Sequence, residues 1–396
     1  MQGTKHNCVQ RSAFGVQRSA KKWKMTKLFI LLATSLVLHT ACSKSNSKAV
    51  APVDTVHLPA VSFTDKDATA AFNNFNTYFY NPAEQLYYAT TEKNSTGAIW
   101  TQAVYWDLVM NAYKRTNDPA QLQMIKDMYQ GGYKKYDRYN WNNKTVWFIY
   151  DDMMWWIISL ARACEITKDS SYLTAAIAGF QRVWNDSYDA ANGGMWWDFN
   201  HSGKNACINF PTVIGALLLY KITGDNAYLQ KAKDVYSWAL ANLTDPNTGR
   251  VADNNVNGNK GWSDYTYNQG TFIGAATMLY KITNDAAYLS QAKLGADYTQ
   301  KSMCDKDGIL PAEGDWNEQG VLKAIFGHYM LMLVQDASQP QYLPWIRKNI
   351  NTAWGNRDAN RGLTYRNYKV PCPTGTIQSY EASSAVMLMQ LCPPEK

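Results

Sequence analysis

Two adjacent carboxyls interrupt a run that is otherwise apolar and aromatic: Trp147-Phe148-Ile149-Tyr150-Asp151-Asp152-Met153-Met154-Trp155-Trp156. An ionised carboxylate buried without a partner costs several kcal/mol. A chain that only packs a core does not place two of them there. The pair faces a cleft, or basic groups neutralise it, or it sits in the first turn of a helix, whose positive end suits acids. Close carboxyls disfavour double ionisation, so one pKa rises while the other stays low. One residue type then supplies both a proton donor and a nucleophile. Cleavage of a glycosidic bond needs that pair, and neighbouring rings suit the apolar face of a sugar. Retaining glycosidases hold their carboxyls about 5–5.5 Å apart and inverting ones about 6.5–9.5 Å. Consecutive residues fit the shorter distance, which favours retention.

Other stretches carry residue types that bind hydroxyls or stack on rings. These are Gly193-Gly194-Met195-Trp196-Trp197-Asp198, Lys204-Asn205, Asp264-Tyr265-Thr266-Tyr267-Asn268-Gln269-Gly270 and Glu313-Gly314-Asp315-Trp316. From them, with Trp155, come the candidate substrate contacts Trp196, Trp197, Asn205, Asp264, Tyr267, Asn268, Asp315 and Trp316. The same residue types also cap helices and build loops, so each position keeps a structural reading beside the functional one. Asn268 and Trp196 lean towards ligand contact, and Glu381 towards a buried structural role.

The elements that must position these groups are legible as a repeat. Leu219-Tyr-Lys-Ile-Thr-Gly-Asp-Asn-Ala-Tyr-Leu229 returns 60 residues later as Leu279-Tyr-Lys-Ile-Thr-Asn-Asp-Ala-Ala-Tyr-Leu289. Weaker copies start near Tyr113, Ala163 and Leu333. In each, an apolar helix ends, Gly or Asn tolerates a left-handed residue, Asp caps the next helix, and Tyr-Leu opens a new apolar stripe. Each copy is a tight helical corner, and the period implies a closed or stacked helical array. One set of helices is amphipathic, at about 65–80, 118–136, 170–185, 226–242, 286–302 and 340–354. The other is apolar nearly all round, at about 99–115, 147–165, 206–222, 266–282, 319–334 and 377–391. Six inner and six outer helices in alternation describe an all-α (α/α)6 toroid over residues 63–394. The longer loops all lead into inner helices, so they collect at one end, where Asp151 and Asp152 also lie.

Composition excludes several classes. Of 39 Lys and Arg, seven precede residue 43 with no acid among them, which leaves 32 basic against 32 acidic residues. That balance argues against a nucleic-acid footprint. His201 and His328 are the only histidines of the helical region, too few for a His-rich metal site. No cofactor is expected, since no Gly-rich phosphate loop follows a strand and no G-x-S-x-G elbow is present.

The start reads as an upstream extension and a signal peptide within residues 1–42. Met25-Thr26-Lys27 is basic, Leu28–Leu38 is apolar, and His39-Thr40-Ala41-Cys42 is similar to a lipobox. Cys42 would carry lipid and anchor the chain in the envelope, on a membrane side left open, with plain secretory cleavage as the alternative. Residues 43–62 then form a polar tether. Cys372 and Cys392 are candidates for a disulfide.

At the Asp-Asp motif, Gly193–Trp197, Lys204-Asn205, Tyr267–Gly270 with Ile273-Gly274-Ala275, and Ala324-Ile325-Phe326, the sequence resembles glycoside hydrolase family 76, the bacterial endo-α-1,6-mannanases. The resemblance runs over most of residues 65–392. It implies a retaining hydrolase acting without metal on α-1,6-mannan; the chain is also expected to be a monomer. It maps Asp151 to the nucleophile and Asp152 to the acid/base. Leu322-Lys323-Ala324-Ile325-Phe326-Gly327-His328 departs from the family's usual Phe-Lys-Gly-Ile-Phe stretch, which bears on subsite contacts. Transglycosylation, glycan binding without turnover, and sugar epimerisation on the same toroid are the alternatives. Epimerisation would call for paired acid–base histidines.

Overall fold

The computed structural model describes residues 62–314 and 316–395. The segment expected to be a signal peptide, Cys42, the expected tether up to residue 61, Asp315 and Lys396 lie outside the described residues. Within them the chain forms twelve α-helices. The inner six are α2 (Ile99–Thr116), α4 (Tyr150–Thr167), α6 (Ala206–Thr223), α8 (Thr266–Thr283), α10 (Leu322–Asp336) and α12 (Ser379–Leu391). The outer six are α1 (Asp65–Phe79), α3 (Pro119–Lys135), α5 (Ser170–Ser187), α7 (Asn226–Leu243), α9 (Ala286–Tyr298) and α11 (Leu343–Gly355). Each inner helix packs on the next, and α12 packs back on α2, which closes the ring. The outer helices α3, α5, α7 and α9 pack on the inner helices that precede them, while α11 and α1 both pack on α12. This is the (α/α)6 toroid expected from the repeat.

Burial explains the two hydropathy patterns. In α6 every residue from Ala206 to Leu219 is buried, so no polar face is needed. In α5 only Tyr172, Ala176, Gly179, Phe180, Val183 and Ser187 are buried, one stripe at helical spacing. Where the inner helices come closest, side chains are absent. A Cβ on Gly270 in α8 would lie 2.5 Å from the Cα of Phe326 in α10, so the two backbones touch there.

The corners share one chemistry. Asp118, Asp169, Asp225 and Asp285 each accept from the backbone N–H two residues on, at 2.9 Å. The residue before each is left-handed: Asn117, Lys168, Gly224 and Asn284. One step earlier, Thr116, Thr167, Thr223 and Thr283 accept from the capping Asp N–H. They also donate to the carbonyl four residues back. Carbonyls and N–H groups that a helix end leaves orphaned are thereby satisfied.

Two boundaries differ from expectation. The segment before α10 is a tight turn over Trp316–Val321, with Asn317 (φ 46°) and Glu318 (φ 56°) left-handed, so the helix starts at Leu322 and not at 319. After Tyr298, α9 widens into a π turn, Thr299–Met303. The suggested disulfide is corrected too: Cys372 and Cys392 are both free thiols.

The loops entering the inner helices are bonded to one another around one mouth of the ring. Tyr150 N–H donates to Trp197 O, and Ala206 N–H to Asp253 O. Thr266 N–H donates to Glu313, and the Trp100 indole to Glu318. Three short antiparallel strands, Lys204–Asn205, Asn254–Val256 and Asn259–Gly261, form a wall at this mouth.

Candidate active site

Because α4 starts at Tyr150, Asp151 and Asp152 fall in its first turn. Consecutive side chains diverge by about 100° within a helix, yet both acids are buried to the same extent, 6% exposed. The Asp152 N–H donates to Asp151 Oδ1 at 3.0 Å, so the helix end itself holds the first carboxyl. Among the described residues no ion pair reaches either acid, and the leading charges that act on them are carboxylates. The alternative of a pair neutralised by basic groups is therefore set aside.

Electrostatics separates the two. Burial pushes the Asp151 carboxyl up, and the Trp197 indole N–H and the backbone N–H groups of Asp152 and Asp151 pull it partly back, while Asp253 opposes them. Burial pushes Asp152 further, and both Asp151 and Glu318 add to the rise. Asp152 is therefore the acid that keeps its proton, and Asp151 is the one that gives it up first.

The neighbours carry unused polar atoms. Asp152 Oδ2, Asn205 Nδ2, Asn268 Oδ1 and Trp197 Nε1 are buried without a hydrogen-bond partner. The Trp197 indole therefore acts on Asp151 by proximity, short of full hydrogen-bond geometry. Buried orphans of this kind are uncommon, and here they gather at the mouth of the ring. Asn268 Nδ2 donates to Asp253 Oδ1 at 3.1 Å. Tyr267, on the same first turn of α8, feels the charges of Asp253 and Asp151. Asp253 and Glu318 were not singled out from the sequence. Each sits in a loop flagged for its position, and nothing local in the residues around them marks an acid that turns inward.

The remaining candidates divide. Trp155 lies one turn below the pair, its ring 6.5 Å from that of Tyr267. Trp197 is 2% exposed and offers an indole N–H rather than a stacking face. Trp196 is likewise not an open platform. The His201 ring lies parallel to it at 5.1 Å, and the Lys204 ammonium sits over it at 4.6 Å. Asp264 is gripped by Arg250 through two bonds of 2.9 and 3.0 Å and accepts from Tyr298, which makes it a fastener of the wall. Trp316 is 61% exposed and remains a free ring at the mouth. Glu381 caps α12 and pairs with Arg366, as a structural carboxylate would.

Deeper along the axis lies a second acid cluster. On α4 the stripe running from Asp151 through Trp155 and Ser159 reaches Arg162, about 16 Å further along the helix. Arg162 pairs with Asp107 at 2.9 Å, and His328 approaches the other oxygen of Asp107 at 2.7 Å. Arg162 also donates to the Tyr329 hydroxyl at 3.1 Å. A small internal cavity lined by Trp155, Ser159, Arg162 and His328 separates the two levels.

A helical toroid with an unneutralised carboxyl pair at its mouth is the layout of a carbohydrate-cleaving enzyme. The sequence profile of Glycosyl hydrolase family 76 matches residues 63–392, and the chain belongs to that family. Among solved structures, the α-1,6-mannanase of Salegentibacter sp. HEL1_6 superposes with a TM-score of 0.76 at 27% identity, covering 83% of this chain and 98% of that one. A form of that enzyme inactivated at two consecutive aspartates, in complex with α-1,6-mannotetrose, gives the same TM-score at 26% identity and covers the same shares of both chains. A mannan endo-1,6-alpha-mannosidase of Candida albicans is 24% identical over 312 residues, 68% of each chain. A Schizosaccharomyces pombe relative is 25% identical over 247 residues, where the match takes in 56% of this chain and 55% of the relative. The likeness is therefore fungal as well as bacterial.

Proposed function

We propose that this glycoside hydrolase cleaves α-1,6-mannosidic linkages of mannan with retention of configuration. The observation that carries the reading is the pair of buried, adjacent carboxyls on α4 with no ion pair to neutralise them among the described residues, one held protonated more strongly than the other. The similarity to a mannanase whose inactive form lacks two consecutive aspartates supports it.

In the first step Asp152 gives its proton to the glycosidic oxygen as the bond to the anomeric carbon breaks. The Asp151 carboxylate attacks that carbon from the opposite face and forms a glycosyl ester. The leaving chain departs as an alcohol. In the second step the now ionised Asp152 takes a proton from water, the hydroxide attacks the anomeric carbon, and Asp151 leaves as a carboxylate. Asp152 is protonated again at the end. The electrostatics suits this order, because once Asp151 is esterified its charge no longer raises the Asp152 pKa, and Asp152 can serve as a base. Asn268, Asn205 and Trp197, with polar atoms unspent, are placed to hold hydroxyls near the reacting sugar, and Trp316 to stack on one further along the chain.

Incubation with linear α-1,6-mannan, followed by NMR of the first-formed anomer, tests the assignment. Wild type should release α-configured manno-oligosaccharides. Asp151→Ala should lose about 10⁴-fold or more in kcat, and Asp152→Asn about 10²–10⁴-fold. A β-configured first product would end the retaining mechanism. A wild type inert on every α-1,6-mannan would end the proposed substrate.

A further inference from the structure

The wall of short strands has two faces. In an antiparallel pair, directly opposed residues share a face and successive residues alternate. Asn205 opposes Asn254 and Lys204 opposes Asn255, so each pair takes its own face; the Asn254 amide donates to Asp253, which marks the first face as the one toward the acids, and the last two share the reverse. Trp196 and Trp197 divide in the same way: Trp197 turns to Asp151, while Trp196 turns to Lys204. Behind the wall, on the side away from the acids, is a bowl of about 330 Å³.

The bowl's lining is unlike that of a structural crevice. Trp196 and Trp238 border it, both half-buried. The Gly193–Gly194 backbone lies against Trp238 so closely that a Cβ on either would come within 2.8 Å of the ring, which fixes the indole in place. Lys204 is buried and pairs with Asp189 at 2.8 Å, so the floor carries no net charge. Asn192 and Asn242 each spend an amide hydrogen, on Asp189 and on the Trp238 carbonyl, which leaves their amide oxygens for a ligand. Asn257 projects from the tip of the hairpin at the rim. Lys204 lies over both indoles and His201 stacks on Trp196, so the rings give the bowl fixed apolar edges while the amides of Asn192, Asn242 and Asn257 give it hydrogen-bonding groups; with its self-neutralised floor, that lining suits a neutral, hydroxyl-rich ring and does not favour an anion or a peptide with charged ends.

We infer that this bowl is a second glycan site, which takes a hexopyranose unit of the same α-1,6-mannan whose cleavage is proposed above. It rests on that reading for its ligand. It lies outside the catalytic wall, so it would hold the polymer and not the bond being cut. With two weak attachments on one strand, the second becomes intramolecular, with an effective concentration in the millimolar range. A polymer would benefit, and a chain short enough to fill only the catalytic side would not.

The test uses the full chain and needs no turnover. In native gels cast with linear α-1,6-mannan, the Asp151→Asn/Asp152→Asn form should be retarded. Adding Asn242→Arg, which fills the bowl from α7, or Asn192→Ala, which trims it, should weaken retardation about 3- to 10-fold. In the active enzyme the same two substitutions should raise the KM for polymer by a similar factor and leave kcat and KM for α-1,6-mannotetraose unchanged. Retardation unaltered by both substitutions overturns the second site. An equal loss on mannotetraose overturns it as well, because the effect would then belong to the catalytic side. A wild type that binds mannan in the gel yet never cleaves it would sink the hydrolase reading and leave this one standing.

Discussion

Two acid clusters share the axis of the ring, and they are opposites. At the mouth, Asp151 and Asp152 are buried with no ion pair among the described residues, and burial together with their neighbours raises both carboxyls above the ordinary range. One level down, Asp107 is buried just as fully, but Arg162 and His328 hold it far below that range despite its burial. The same α4 helix serves both, with its first turn carrying the pair and its fourth carrying Arg162. Burial alone therefore does not set what a carboxylate does. With a guanidinium at 2.9 Å it is a permanent anion that ties α2 to α4 and α10. Without one it is a group that exchanges its proton near neutral pH, which is what acid–base chemistry needs.

The contrast can be broken in three places. The largest effect is expected at the lower cluster. Arg162→Met leaves Asp107 buried without its main partner and should cost about 3–5 kcal/mol of stability in urea unfolding at pH 7. The folded pKa of Asp107 is depressed, so this contribution is present above the unfolded value and lost as pH falls towards the folded one. The deficit should therefore shrink below about pH 4. A deficit under about 1 kcal/mol at neutral pH would mean that the pair is not a tie. The upper cluster should respond with the opposite sign. Asp151→Asn/Asp152→Asn removes two acids whose folded pKa values are raised, so it should stabilise the fold. The gain, about 1–3 kcal/mol, should grow as pH rises from about 4 towards neutrality. A thermal midpoint that falls would show that these carboxyls are structural. The smallest change is expected from Glu318→Gln. Removing a negative charge lowers the Asp152 pKa, so the alkaline limb of kcat/KM should move to lower pH by about half to one unit. An unmoved limb would remove Glu318 from the electrostatics of the pair.

The fold was legible because its signals are local. Each corner is written in consecutive residues, Thr, a left-handed residue and Asp, and the apolar helices announce their interior position by having no polar face. Even Lys168, a poor choice for a left-handed residue, takes that conformation (φ 60°) because Thr167 and Asp169 on either side close the corner around it. Asp151-Asp152 was legible for the same reason, as two charges in an aromatic run. The partners of the site were not. Asp253 and Glu318 come from loops 102 and 167 residues beyond Asp151, and their inward turn is set by a strand pairing and by left-handed backbone at Asn317 and Glu318. The surroundings of Asp264, Trp196 and Trp197 were hidden on the same ground. Residue type suggested sugar contact, but Arg250, Lys204, His201 and the packing of the loop decide what each can touch. His328 was counted against a metal site and is instead paired with Asp107, a partner 221 residues earlier in the chain.

The meeting of α1 and α12 has a consequence for how the chain is threaded. Ser62 and Glu395 bond at 3.1 Å, Phe63 N–H reaches Asn351, and Gln390 reaches the Ala68 carbonyl. Start and finish of the described fold are thus next-door neighbours, and the ring is closed where they meet. A polypeptide opened at the Gly224 corner, with its old ends spliced, would keep every neighbour it has now. The order in which the hairpins are strung is an accident of where the ring is cut, while their order around the circle is what the architecture requires.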